Sequence, residues 1–207
     1  AIMNRWQLRF DQGKFDLALK DSDDCNTKLS RACSIETLYS LGRIEEIYER
    51  IKTNLELDEK NIRLAAFSSF LSEVEKRNTG HKFCCNPLSF IHFSNIKFHL
   101  KNHTHFTTDI INELRTIKTI WEPLNKTTHN GFQTPTNINL FSNSSKEISQ
   151  IKSIILNELD AYYSKFEQES CSYIQKWPSN KKLLGWHVIL KKQGYQSAHI
   201  HPGGWLS

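Results

Sequence analysis

The tightest constraint on this chain lies between Ser144 and Phe166, where Ile148, Ile151, Ile155, Leu159, Tyr162 and Phe166 recur at steps of three or four residues. That period gathers the apolar side chains on one face of a helix, so the segment predicts an amphipathic helix that must lie against a core. Ser144-Ser-Lys-Glu147, just ahead of it, has the form of a capping box, which satisfies backbone N–H groups left open in a first helical turn. At 207 residues and 38% hydrophobic content the chain can bury one good core or two small ones.

Helical periodicity also marks the N-terminal third. Phe10-Asp-Gln-Gly13-Lys-Phe15-Asp16 and Tyr39-Ser-Leu-Gly42-Arg-Ile44-Glu45 share an aromatic residue, a glycine three positions later, then a basic, an apolar and an acidic residue, at an offset of 29. This echo resembles the first-helix signature of tetratricopeptide repeats. In the second copy Ile35, Leu38, Leu41, Tyr48, Ile51 and Leu55 keep helical spacing. Glu56-Leu-Asp58-Glu-Lys-Asn61 breaks it, and Ile62, Ala66, Phe70 and Val74 resume it, which predicts helix, turn and helix. Asn78-Thr-Gly80 is a stop signal. From His81 to His105 the pattern fits a helix or a short strand pair equally. Ile110, Leu114, Ile117 and Trp121 then predict a helix over 109–121, ended by Glu122-Pro123.

Further on the pattern changes to alternation. The threonine- and asparagine-rich stretch Gly131–Phe141 alternates Thr136, Ile138 and Leu140 as a strand does. Leu184-Gly-Trp-His-Val-Ile-Leu190 reads as a buried strand, Lys192-Gln-Gly194 as a hairpin turn, and Tyr195 to His201 as the partner strand.

Composition excludes several function classes. No run approaches the roughly 18 apolar residues of a membrane-spanning helix, and the N-terminus lacks the form of a secretory signal. The net charge of +5 comes from 27 basic and 22 acidic residues that are interspersed, so no basic stripe for nucleic acid stands out. The five cysteines, Cys25, Cys33, Cys84, Cys85 and Cys171, are odd in number and irregularly spaced, which reads as reduced thiols in a cytoplasm. The sequons at Asn102, Asn125 and Asn143 are then chance matches.

Chemistry concentrates near the C-terminus. In a strand, His199 and His201 would project from one face with Cα atoms roughly 6.6 Å apart, within reach of a single metal ion. Imidazole is the commonest protein ligand for iron, zinc and copper, while the bland alternative is two polar residues on a solvated face. Gly131-Phe-Gln-Thr134 with Asn139-Leu-Phe141, then Trp186-His-Val-Ile-Leu190, then His199-Ile-His201-Pro-Gly-Gly-Trp-Leu-Ser207 together resemble the 2-oxoglutarate and Fe(II) oxygenase family often joined to tetratricopeptide repeats. The resemblance covers roughly residues 121–207, and the H-x-H-P-x-x-W-L-S string is its most specific part.

That resemblance implies an α+β chain. Residues 1–106 would be a helical, tetratricopeptide-like region, and 107–207 the first part of a double-stranded β-helix, or jelly roll, that continues beyond Ser207. It implies Fe(II) as metal, 2-oxoglutarate as co-substrate and hydroxylation of a substrate. His199 aligns with the proximal histidine, and His201 occupies the position where the family carries a carboxylate. The distal histidine and the arginine for 2-oxoglutarate would lie beyond Ser207, so these 207 residues alone should not turn over. The helical region would bind a protein partner or a macromolecular substrate, with no role for nucleic acid or membrane.

Two further metal readings exist. Cupins also carry H-x-H after a glycine, but with a glutamate about four residues on, where Trp205 and Leu206 stand here. Cys84 and Cys85 with His81, His103 and His105 would be a zinc site, although adjacent cysteines rarely share one small tetrahedral site. His187 is expected to be solvated and Trp205 to pack in a core. The competing class is an interaction scaffold with a non-catalytic β-domain.

Overall fold

The computed structural model describes residues 1–84, 86–100, 105–124, 126–142, 145–201 and 203–206. Ser144 of the expected capping box, Cys85 and His103 of the zinc alternative, and the sequon residues Asn102, Asn125 and Asn143 lie outside the described residues. In chain order the helices are α1 (Ile2–Asp11), α2 (Phe15–Cys25), α3 (Lys28–Ser40), α4 (Ile44–Thr53), α5 (Ile62–Glu75), α6 (Phe106–Thr116), α7 (Lys146–Phe166) and α8 (Ser172–Gln175). The strands are β1 (Ile120–Trp121), β2 (Thr128–Gln133) and β3 (Val188–Gln196). Helices and sheet together make the mixed class that the sequence predicts. Two compact units form, one from residues 1–91, 168–177 and 200–207, the other from 92–167 and 178–199.

In the first unit, α1 and α2 form one hairpin and α3 and α4 another, and the same turn closes both. Gly13 and Gly42 each have φ +69°, the left-handed conformation that glycine adopts without a Cβ penalty. The Gly42 N–H donates to the Tyr39 carbonyl (3.0 Å) and the Arg43 N–H to Leu38 (3.0 Å), while Gly13 and Lys14 do the same to Phe10 and Arg9 (both 2.9 Å). These pairs satisfy the last helix carbonyls in the manner of a Schellman motif. The apolar run from Ile35 to Leu55 is therefore two helices rather than one. Leu38 and Ile47, both fully buried, meet Leu19, Ile35, Ile51, Leu64 and Leu71 in the core of this unit.

Helix α5 buries Leu64, Ala65, Ser68 and Leu71, not the expected face, and Phe70 and Val74 are exposed. An asparagine cap fixes where this helix begins. The Asn61 side chain accepts the Leu64 N–H (3.4 Å) and donates to the Lys28 carbonyl (2.8 Å) and to Asp58 (3.0 Å). Asp58, 1% exposed, takes both its oxygens to Arg31 at 2.8 Å in a bidentate fork that ties the loop before α5 to α3.

In the second unit, α6 and α7 bury Leu100, Phe106, Ile110, Ile148 and Ile154 against one another. Ser145 caps α7 by accepting the Ile148 N–H (3.3 Å). Helix α6 stops at Thr116, five residues short of the expected end, and Trp121 stands in β1 opposite Phe132. The expected strand at Thr136–Leu140 is absent. There the Leu140 N–H bonds to the Gly185 carbonyl (2.7 Å) and a 3-10 turn occupies Leu140–Ser142.

The sheet is antiparallel in the order β1-β2-β3. The expected hairpin at Lys192–Gly194 does not form, because both arms pair with β2 rather than with each other: Gly131 faces Leu190 and His129 faces Tyr195. A bulge between these pairs absorbs the extra residues, with Asn130 at φ +49° and Gln193 at φ +64°. The Asn130 carboxamide donates to the Lys192 carbonyl (2.8 Å) and holds the bulge in place. The described residues thus build a three-stranded sheet, and among them no helix is long and apolar enough to cross a membrane.

A Cβ on Gly194 would lie 2.4 Å from the Asn130 carbonyl oxygen, whereas one on Gly204 would lie 3.5 Å from its nearest neighbour. Gly194→Ala should therefore lower stability in urea by about 1–3 kcal/mol, and Gly204→Ala by less than about 0.5 kcal/mol.

Candidate functional site

Strand β3 ends at Gln196, and one further ladder bond runs from the Ser197 N–H to the Thr127 carbonyl (2.9 Å). His199 and His201 follow without strand structure. A shared face would require a strand through residue 201, so strand alternation does not set the directions of these imidazoles. The boundary between the two units falls between His199 and Ile200. His199 is exposed, and its Nδ1 is 2.7 Å from the Ser197 carbonyl oxygen. A carbonyl can only accept, so Nδ1 carries a proton, and the ring has the backbone support that metal-ligating histidines use. His201 is half-buried, and its carbonyl accepts the Gly204 N–H (2.9 Å). Trp205 packs edge-on to Phe83 with centroids 5.2 Å apart and donates Nε1–H to the Tyr173 carbonyl (3.1 Å).

His187 is not the solvated residue that alternation predicts. It precedes β3 and is clamped to Thr134, whose N–H donates to the His187 carbonyl (3.1 Å) and whose Oγ1 accepts the His187 N–H (3.0 Å) and contacts Nδ1 (3.1 Å). Its Nε2 is buried with no hydrogen-bond partner among the described residues. Burial lowers the imidazole pKa and holds the ring neutral at pH 7. The clamp brings two of the motif segments together: Thr134 meets His187, and Phe132 faces Ile189 across the ladder.

One cluster of metal-ligand residue types was not singled out by the sequence. His92 Nε2 lies 2.9 Å from one oxygen of Glu158, and His99 Nε2 hydrogen-bonds the other. The carboxylate is separated from the histidines by 66 and 59 positions, so no local spacing announces the trio. Hydrogen bonds from His92, Ser94 and His99 hold the Glu158 carboxyl at about 2, well below the ordinary 4.5.

The zinc alternative loses one of its ligands to the backbone. His81 Nε2 meets the Asp58 carbonyl (3.1 Å) and its Nδ1 accepts the Phe83 N–H (3.3 Å). Cys25, Cys33 and Cys171 are free thiols, and burial pushes Cys33 up to about 12. Among the described residues no group of three His, Cys, Asp or Glu side chains is arranged to hold a metal ion.

Compared with protein-family models, curated proteins and solved structures, the chain matches none of them.

The Glu158 cluster gives a pH signature with a defined sign. A carboxyl depressed in the folded state adds stability above its unfolded pKa of about 4.5, and that contribution fades as pH falls towards about 2. Urea unfolding between pH 6 and roughly pH 2.5 should show a decline that Glu158→Gln flattens.

Proposed function

We propose that this protein belongs to the Fe(II)- and 2-oxoglutarate-dependent oxygenases and hydroxylates a substrate, with His199 as proximal histidine and His201 in the carboxylate position. The observation that carries this reading is the string His199-Ile-His201-Pro-Gly-Gly-Trp-Leu-Ser207. Two features support it. His199 donates its Nδ1–H to the Ser197 carbonyl (2.7 Å), the kind of backbone support that orients metal-ligating histidines. Gly131, Phe132 and Gln133 of one motif segment also pair with Leu190, Ile189 and Val188 of the other, and Thr134 contacts His187 just outside the sheet. The donor set fits iron in part. Two imidazoles suit Fe(II), but the family's usual set has a carboxylate where His201 stands, and a third ligand is not grouped with them among the described residues. Bound there, iron would supply the oxidising chemistry with 2-oxoglutarate as co-substrate. The chain's own part is to orient the His199 ring through its Nδ1–H on the Ser197 carbonyl.

A second reading is an interaction scaffold. It is favoured by the two hairpins of the first unit, closed by identical glycine turns at Gly13 and Gly42, which is how helical repeats stack to present a binding surface for a protein partner.

Anaerobic titration with Co(II), a spectroscopic stand-in for Fe(II), separates the two. The oxygenase reading predicts one Co(II) per chain, affinity lowered about tenfold or more in His199→Ala, and tighter binding in His201→Asp as the carboxylate is restored. Binding unaffected by either substitution would leave the scaffold reading.

A further inference from the structure

The second unit carries a short segment, unused by the oxygenase reading, whose polar and apolar residues face the opposite way from what water favours. His92 and His99 turn inward onto α7, where His92 Nε2 lies 2.9 Å from one oxygen of Glu158 and His99 Nε2 hydrogen-bonds the other. The Ser94 side chain adds a third bond to the same carboxylate, and Leu100, just beyond, is buried in the core of this unit. Between these anchors the Asn95 side chain accepts the Lys97 N–H (3.0 Å) and starts a 3-10 turn over Ile96–His99. Phe93 and Phe98 lie on the outside, 90% and 86% exposed, and Ile96 is 37% exposed. Single exposed apolar residues are ordinary, but two nearly bare phenyl rings on a segment pinned at both ends mark a surface that something outside the chain covers.

Charge selects the kind of surface. Lys97 stands between the two rings in sequence, is exposed, and makes no ion pair among the described residues. From Lys76 to Thr108 the sequence has five lysine and arginine residues and no aspartate or glutamate, whereas the whole chain has 27 basic to 22 acidic. The Glu158 carboxylate is already taken up by its three hydrogen bonds. A second copy docked through the same rings would set Lys97 against Lys97, a like-charge contact that opposes association. A single-stranded nucleic acid would need a track of cations along its phosphates, and this segment offers one. Phenyl rings flanking a lysine are instead the makeup of an interfacial anchor: the rings enter the boundary between headgroups and acyl chains, and the ammonium stays with anionic headgroups.

We propose that Phe93 and Phe98 insert into the surface of an anionic lipid bilayer, with Lys97 at the headgroups. The contact is peripheral, with both rings entering from one side. It involves neither His199 nor His201.

Co-sedimentation of the 207-residue protein with lipid vesicles tests this, with equal parts of phosphatidylserine and phosphatidylcholine in one arm and phosphatidylcholine alone in the other. The wild type should partition onto the mixed vesicles and more weakly onto phosphatidylcholine. Phe93→Ser combined with Phe98→Ser should lower partition onto the mixed vesicles about tenfold or more, because two apolar side chains no longer leave water. Lys97→Gln should lower it about fivefold there, the weight of one cation at an anionic surface, and leave the phosphatidylcholine arm unchanged. Both variants should keep the wild-type Tm, since all three side chains are exposed, so lost partition reports the surface rather than the fold. No partition onto the mixed vesicles, or equal partition of wild type and the double variant, overturns the proposal. A dimer or a single-stranded oligonucleotide complex that requires both rings, without vesicle binding, overturns it as well.

Discussion

The backbone ladder between Thr128–Gln133 and Val188–Gln196 is the constraint on which the chemistry near the C-terminus depends. It continues through a bulge because the Asn130 carboxamide reaches the Lys192 carbonyl and because Gly194 lets the Asn130 carbonyl approach where a Cβ would clash. A strand that bulges keeps its direction, whereas a hairpin would reverse it. The ladder consequently carries the chain past Tyr195 and releases it after Gln196, so that His199 leaves the sheet on a short segment steadied by the Ser197 carbonyl. The same ladder sets Phe132 against Ile189 and clamps Thr134 to His187.

The helical unit depends on a different device, chain reversal by left-handed glycine. Gly13 and Gly42 end their helices with the same pair of hydrogen bonds, and Leu38 and Ile47 can meet in the core because the reversal between them is tight. The Arg31–Asp58 fork then fixes the loop that leads into α5. Such a buried pair contributes little net attraction after desolvation, but losing one partner would strand a charge, so it specifies arrangement more than it adds stability.

Helices read well from the sequence wherever one face alone is buried. The segment from Ile148 to Phe166 is helical because its period is unambiguous and Ser145 caps it. Alternation misled at Thr136–Leu140, where side-chain and backbone bonds to Leu183 and Gly185 take the place of a ladder. It misled again at Lys192–Gly194, since glycine after a polar pair signals a bulge as readily as a hairpin, and only the long-range partner β2 decides between them. The face of α5 was misread because apolar residues lie on more than one of its sides, and Leu64 and Leu71 rather than Phe70 and Val74 are the ones that enter the core. At the candidate site, residue types and spacing were legible for His199 and His201, while their directions were not, since these depend on where the strand ends. The His92–Glu158–His99 cluster left no local trace, because it arises from packing of segments far apart in the chain.

The central claim is that His199 and His201 ligate one metal ion. Extended X-ray absorption fine structure on anaerobic Fe(II)-loaded protein tests it most directly. The account predicts outer-shell scattering from two imidazoles per iron in the wild type and from one in His199→Ala. An iron surrounded by oxygen ligands alone, with a spectrum unchanged by that substitution, would contradict it.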